Sequence, residues 1–150
     1  MKKEAPPAAR ILLVDDNVHG LTARKMILTD HGYEVETALS GEEAWEIFQK
    51  TQFDVVVTDL RMGGIDGVEL IRRIRALDVP SRIILLSGFI GCLGMTEKST
   101  GADELICKSN KEVPELLRAI GKLVARPRRR KASSEDGPAG PAGSRIMRAG

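Results

Sequence analysis

The stretch Phe53–Gly67, FDVVVTDLRMGGIDG, decides the fold, because an apolar run ends there at a carboxylate and a glycine-rich loop follows. Val55, Val56 and Val57 are consecutive β-branched residues, which is typical of a strand buried on both faces of a parallel sheet. Asp59 then lies at the carboxyl end of that strand. In open α/β sheets ligands bind at this edge, since the loops there open into a crevice. The stretch therefore predicts a parallel sheet with a candidate site at Asp59.

Strand and helix patterns alternate on both sides of this stretch. Apolar runs that predict further strands begin near Arg10, Glu34, Arg82 and Leu105, and amphipathic segments follow them. The segment between the last two strands is rich in glycine, so we expect only a short helix there, around Met95–Thr100. Five alternations joined by right-handed crossovers predict an α/β fold, a parallel sheet with helices on both faces.

Length and charge divide the 150-residue chain into one domain and two flanking segments. Residues 10–125 contain 14 Lys and Arg against 18 Asp and Glu, so this part is acidic. Residues 126–150 contain 7 against 2 and are rich in proline and glycine, so they are basic and lack an apolar face. We expect a disordered lead-in over residues 1–9, one folded domain over 10–125 and a disordered basic tail over 126–150.

Composition disfavours several classes of function. Aromatic residues make up 3% of the chain, which disfavours a nucleic-acid surface built on base stacking. The cationic run Arg126–Lys131 has no aromatic residues between its charges, so a solvated tail is the better interpretation. No apolar run approaches the ~20 residues of a membrane span, and the N-terminus lacks a secretion signal. Cys92 and Cys107 form no CxxC motif. Because the sequence shows neither a membrane span nor a secretion signal, we expect a cytoplasmic protein.

Polar side chains follow the predicted strands at the same edge of the sheet. Asp15 and Asp16 follow the first strand, Asp59 ends the third, Ser87 the fourth and Lys108 the fifth. Three converging carboxylates repel one another unless a cation intervenes, and oxygen ligands without His or Cys suit Mg²⁺. A lysine and a hydroxyl beside that metal suit a phosphoryl group, which a carboxylate can accept as an aspartyl phosphate.

Each of these residues has a plainer interpretation when it is taken alone. Asp15 and Asp16 suit helix caps, Ser87 suits a turn, and Lys108 suits a solvated charge. Their conjunction at one sheet edge favours the phosphoryl and metal site.

The residues that carry this chemistry also match a known family. The acidic pair after ILLV, the stretch DLRMGGIDG around Asp59, SGF from Ser87, GAD at 101–103 and Lys108 occur in the family's order. From about residue 10 to 125 the chain resembles the receiver domain of bacterial two-component response regulators, of the stand-alone, chemotaxis-regulator-like type. The resemblance implies a flavodoxin-like five-stranded sheet of order 2-1-3-4-5.

The resemblance also implies a metal-binding role for four residues. Asp16, Asp59 and the backbone carbonyl of Arg61 would hold Mg²⁺ directly. Asp15 would assist through a water molecule.

The implied function is signalling by phosphorylation and not turnover of a separate substrate. Asp59 would accept a phosphoryl group from a histidine kinase or phosphotransfer protein, while Ser87 bonds a phosphoryl oxygen and Lys108 neutralises its charge. The modified state would bind an unidentified downstream protein. A phosphorylation-independent interaction module that keeps the acidic pocket remains the alternative. A Mg²⁺-dependent phosphatase is disfavoured, because Arg61 stands where that class needs a general acid or base.

Three positions depart from the family pattern. Ser109 follows Lys108 where the family usually has proline, and Leu105 replaces an aromatic residue that swings inward on activation. Met62-Gly63 stands where Met-Pro is usual. None of these differences removes a catalytic group, but each concerns a loop or surface that would carry the signal.

Overall fold

Strands and helices follow one another in the predicted alternation. The computed structural model describes residues 8–88 and 94–125. The strands within these residues are β1 (Arg10–Val14), β2 (Glu34–Ala38), β3 (Val55–Asp59), β4 (Arg82–Ser87) and β5 (Glu104–Cys107). The helices are α1 (Val18–Asp30), α2 (Gly41–Lys50), α3 (Gly67–Ala76), α4 (Glu97–Thr100) and α5 (Glu112–Ala125).

The sheet is parallel throughout and has the order β2-β1-β3-β4-β5. The central strand β3 is buried along its whole length, as the run of three valines predicts. Val56 pairs with Leu12 of β1 on one side and with Ile83 of β4 on the other. This order confirms the flavodoxin-like sheet implied by the sequence resemblance.

Each face of the sheet packs into its own apolar core, because successive side chains of a strand point to opposite faces. Val55 and Val57 lie in the core that α1 and α5 cover. Val56 lies in the core that α2 and α3 cover. Helix α1 buries only Leu21 and Leu28 in this core, and its other large apolar side chains are less buried. The strands are thus held between two helical layers, with their carboxyl ends left at one edge.

Polar caps begin the first three helices, which follow β1, β2 and β3. The side chains of Asn17, Ser40 and Asp66 accept hydrogen bonds from the first turns of α1, α2 and α3. The sequence Ser40-Gly41-Glu42-Glu43 has the pattern of a capping box, but the reciprocal hydrogen bonds are present in one direction only. Ser40 accepts from the N–H of Glu43 at 3.0 Å, but the Glu43 carboxylate accepts from Leu39 at 2.8 Å. The cap therefore also holds the end of β2.

Several predictions concern residues that the structure does not describe. Most of the lead-in (residues 1–7), Phe89 of the SGF motif and the basic tail (126–150) lie outside the described residues. The short helix expected before β5 is confirmed by α4, which has four residues. Among residues 8–88 and 94–125, none of the helices combines the length and apolar character needed to cross a membrane.

Candidate metal centre at the carboxyl ends of the strands

Three carboxylates meet at the carboxyl edge of the sheet. Asp15 and Asp16 follow β1 directly, and Asp59 is the last residue of the adjacent strand β3. One carboxylate oxygen from each residue lies within 4.8 Å of the other two. The structure thus brings together the three acidic residues singled out in the sequence.

These carboxylates differ in their exposure to solvent. Asp15 and Asp59 are 2% and 7% exposed, whereas Asp16 is exposed. A set of three carboxylate oxygens with one open side fits Mg²⁺, which prefers oxygen ligands and keeps part of its water shell. The two buried carboxylates need partner cations to offset the loss of hydration.

Lys108 is the first of these cations. Its Nζ lies 2.5 Å from Oδ1 of Asp59 and 4.0 Å from Oδ2 of Asp15. The backbone N–H of Lys108 donates to the carbonyl of Ser87 at 2.7 Å, so the lysine is tied to the end of β4. Burial raises the pKa of Asp59 above its usual range, while the hydrogen bond and the charge of Lys108 oppose that rise.

Ser87 and Arg61 complete the predicted set. Ser87 is fully buried as the last residue of β4, one residue beyond Leu86, which pairs with Asp59 in the sheet. Arg61 lies two residues after Asp59, in the loop that joins β3 to α3. All the residues predicted from the strand ends therefore lie at the same edge of the sheet.

The start of α2 holds this β3–α3 loop. Oε2 of Glu42 accepts a hydrogen bond from the backbone N–H of Ile65 at 3.0 Å. Gly64 has a φ of +75°, and a Cβ there would collide with the Glu42 carboxylate. A Cβ at Gly41 would collide with the carbonyl of Ile65. The loop and the helix thus approach closely at two glycines, which holds in place a loop that lacks the family's proline.

Arg24 is the second cation of the site, and the strand-end pattern did not predict it. Its Nη1 donates to Oδ2 of Asp15 at 2.8 Å, and its Nε donates to Oε2 of Glu112 at 2.7 Å. The sequence carried a signal for it: Arg24 lies three residues after Leu21 and four before Leu28, the two buried residues of α1. A charged residue on the buried stripe of a helix indicates a partner inside the protein.

The positions that depart from the family pattern have ordinary structural roles. Leu105 is partly buried and packs against the core between the sheet and α2 and α3. The Ser109 hydroxyl oxygen accepts a hydrogen bond from the N–H of Lys111 at 3.1 Å, just before α5.

Comparison with known proteins places this site in a family context. The response regulator receiver domain family matches residues 11–120. The chain is 36% identical over 100 residues to the transcriptional regulatory protein TrcR of Mycobacterium tuberculosis, covering 66% of this chain and 39% of TrcR. It is 35% identical over 144 residues to the virulence sensor protein BvgS of Bordetella pertussis, covering 81% and 12%. The chain thus spans less than half the length of these relatives.

Solved structures share both the fold and part of the sequence. The response regulator TrrA of Thermotoga maritima, in complex with Mg²⁺-BeF, is 36% identical, with a TM-score of 0.68 and coverage of 77% of this chain and 98% of TrrA. The chemotaxis response regulator CheY4 of Vibrio cholerae is 28% identical, with a TM-score of 0.67 and coverage of 78% and 99%.

Proposed function

The chain belongs to the response regulator receiver domain family, and we propose on that basis that it accepts a phosphoryl group on Asp59 with the help of Mg²⁺. The donor is a histidine kinase or a phosphotransfer protein of a phosphorelay. The observation that carries the proposal is the meeting of Asp15, Asp16 and Asp59 with Lys108 at one sheet edge. That combination offers a nucleophile, a metal site and a cation for the incoming charge.

Asp59 is the nucleophile in this proposal. One of its carboxylate oxygens attacks the phosphorus atom of the donor, a P–O bond forms, and the bond from phosphorus to the donor's nitrogen or oxygen breaks. The electron pair of that bond leaves with the donor. Lys108 already lies on the Asp59 carboxylate and neutralises the added charge, while the buried Ser87 hydroxyl bonds a phosphoryl oxygen.

The metal ligands are those implied by the family resemblance. Asp16, Asp59 and the backbone carbonyl of Arg61 would hold Mg²⁺, and Asp15 would assist them. A Mg²⁺ ion held there would supply positive charge against the phosphoryl oxygens.

Phosphorylation changes the partners of the surrounding groups. It places about two negative charges beside Lys108 and Ser87, which are joined through the Lys108 N–H. Their movement changes the loop after β4 and the surface formed by α4 and β5. The output of the domain is then the binding of another protein or transfer of the phosphoryl group to it.

A small phosphodonor tests the proposal directly. The protein is incubated with acetyl phosphate and Mg²⁺, and its intact mass is recorded beside that of Asp59→Asn. We expect the wild-type protein to gain one phosphoryl group and the variant to gain none. An unchanged wild-type mass with several donors would contradict the proposal.

A second candidate is an interaction module that binds its partner without phosphorylation. Leu105, which packs on the core where the family has a mobile aromatic residue, favours this candidate. Partner binding that is equally tight for wild type, phosphorylated wild type and Asp59→Asn would support it over the first.

A further inference from the structure

We infer that Arg24 is a resident counter-ion of the acidic cluster and competes with Mg²⁺ for Asp15. The ion pair between Arg24 and Glu112 couples this competition to α5. The inference rests on the proposed function, because it concerns the same metal site. It assigns a positioning role to a residue outside the set of metal ligands and phosphoryl contacts.

The contacts of Arg24 are short and shielded from water. The guanidinium uses one nitrogen for Asp15, at 2.8 Å, and another for Glu112, at 2.7 Å. The side chain of Arg24 is 11% exposed, and those of Asp15 and Glu112 are 3% and 15% exposed. Charge-assisted bonds of this geometry are stronger than exposed ion pairs, because solvent screens them less.

The position of Arg24 on α1 keeps its charge at the site. Leu21 and Leu28, on the same stripe of the helix, are 5% and 1% exposed, so the backbone that carries Arg24 is packed on the sheet. The two ion pairs, to Asp15 and to Glu112, hold the guanidinium at the end of that side chain. Arg24 is therefore positioned at the site by the packing of α1 and by its two carboxylate partners.

The two cations leave each buried carboxylate paired before any metal binds. Arg24 lies on Asp15, and Lys108 lies on Asp59. An incoming Mg²⁺ meets the repulsion of both cations and shares Asp15 with Arg24. Arg24 thus stabilises the metal-free protein and weakens its affinity for Mg²⁺.

Glu112 extends this competition to another element. It is the first residue of α5, whereas Arg24 lies within α1, so the two ion pairs connect the metal site to the first turn of α5. When Mg²⁺ takes part of the Asp15 charge, Glu112 becomes the main partner of Arg24. Because coupling is reciprocal, a change at Glu112 alters Mg²⁺ affinity through Arg24.

Calorimetric titration of the full chain with MgCl₂ tests the inference. We expect Arg24→Gln to bind Mg²⁺ about tenfold more tightly, since it removes a cation from the shared carboxylate. Glu112→Gln should bind Mg²⁺ more weakly, because the Arg24 guanidinium then forms its ion pair with Asp15 alone. In the Arg24→Gln background the Glu112→Gln change should lose most of its effect, which a simple charge effect would not predict.

Arg10→Gln is the matched control. Arg10 starts β1, at the opposite edge of the sheet, and pairs with Glu34 in an exposed bridge. Arg10→Gln removes the same formal charge as Arg24→Gln but far from the metal site. We therefore expect its Mg²⁺ affinity to equal that of the wild type.

The outcomes separate this inference from the proposed function. Arg24→Gln with unchanged or weaker Mg²⁺ affinity, in a protein whose wild type is phosphorylated normally, overturns the inference alone. If Arg24→Gln does not fold, an unchanged affinity in Glu112→Gln overturns it equally. A wild type that neither binds Mg²⁺ nor gains a phosphoryl group refutes the proposed function and this inference with it.

Discussion

At the scale of single residues, Asp59 combines burial with a negative charge. Its side chain is 10% exposed, and its closest partner is the ammonium group of Lys108. Burial raises its pKa despite that lysine, so the folded protein holds a proton on Asp59 to higher pH than the unfolded chain does. Ionised Asp59 therefore costs stability in the metal-free protein.

Asp59→Asn should accordingly raise the melting temperature of the metal-free protein at neutral pH. The sign follows from linkage: wild-type stability falls as the pH rises from the ordinary aspartate pKa through the raised value, and the asparagine variant lacks that loss. Thermal unfolding in EDTA between acidic and neutral pH measures the difference. The advantage of the variant should disappear in acid, and a variant that is less stable than the wild type at neutral pH would contradict this account.

The sequence also sets a limit on what can be predicted for single residues. Asp15, Asp16, Asp59, Ser87 and Lys108 were identifiable because each follows a recognisable strand. The Arg24–Glu112 contact spans 88 residues and joins two helices, so no local pattern specifies the pair. Only the position of Arg24 between two buried leucines hinted at it.

At the scale of elements, the start of α2 and the β3–α3 loop form one unit. Glu42 accepts from the Ile65 N–H, and Gly41 and Gly64 allow the two segments to approach. This contact supports the loop that contains Arg61, whose carbonyl is a proposed metal ligand. The loop has Gly63 where the family usually has proline, but its contact with α2 still holds it in place.

Gly64→Ala should destabilise the protein by about 1–3 kcal/mol, because alanine is strained at a φ of +75° and its Cβ would push the Glu42 carboxylate away from the Ile65 N–H. Gly63→Ala is the matched control, since a Cβ there meets no described atom within 4 Å. Urea unfolding of both variants measures the difference. Equal stabilities for the two would show that the loop is not held as described.

Helix and strand patterns predicted the elements to different degrees. The apolar runs gave β1, β3 and β4 closely, and the glycines correctly indicated a short α4. Helix α1 was harder to interpret, because Met26, which contributes to its apolar pattern, is 64% exposed. Helix α1 packs on the sheet through Leu21 and Leu28 alone, and the Arg24 ion pairs lie on the same stripe between them.

At the scale of the whole molecule, the parallel sheet and its two cores bring distant parts of the chain to one edge. Strand alternation predicted this architecture, since crossovers between parallel strands place all carboxyl ends together. Metal binding at that edge should therefore act on the stability of the entire domain.

Mg²⁺ should stabilise the folded chain by about 2.7 kcal/mol at a concentration one hundred times its dissociation constant, and EDTA should reverse the effect. Asp16→Asn should lose most of this gain, because Asp16 is a proposed direct ligand. Asp30→Asn, at the end of α1, removes an exposed carboxylate and should keep the full gain. Thermal unfolding across a MgCl₂ series makes the comparison, and equal gains in both variants would contradict the ligand assignment.

The central claim is that Asp59 receives the phosphoryl group. The most direct measurement treats the protein with acetyl phosphate and Mg²⁺, reduces the acyl phosphate with borohydride, and maps the resulting homoserine by peptide mass spectrometry. We predict homoserine at position 59 alone and none without Mg²⁺. Homoserine at position 15, 16 or 66, or its absence from every peptide of a fully mapped chain, would contradict the account.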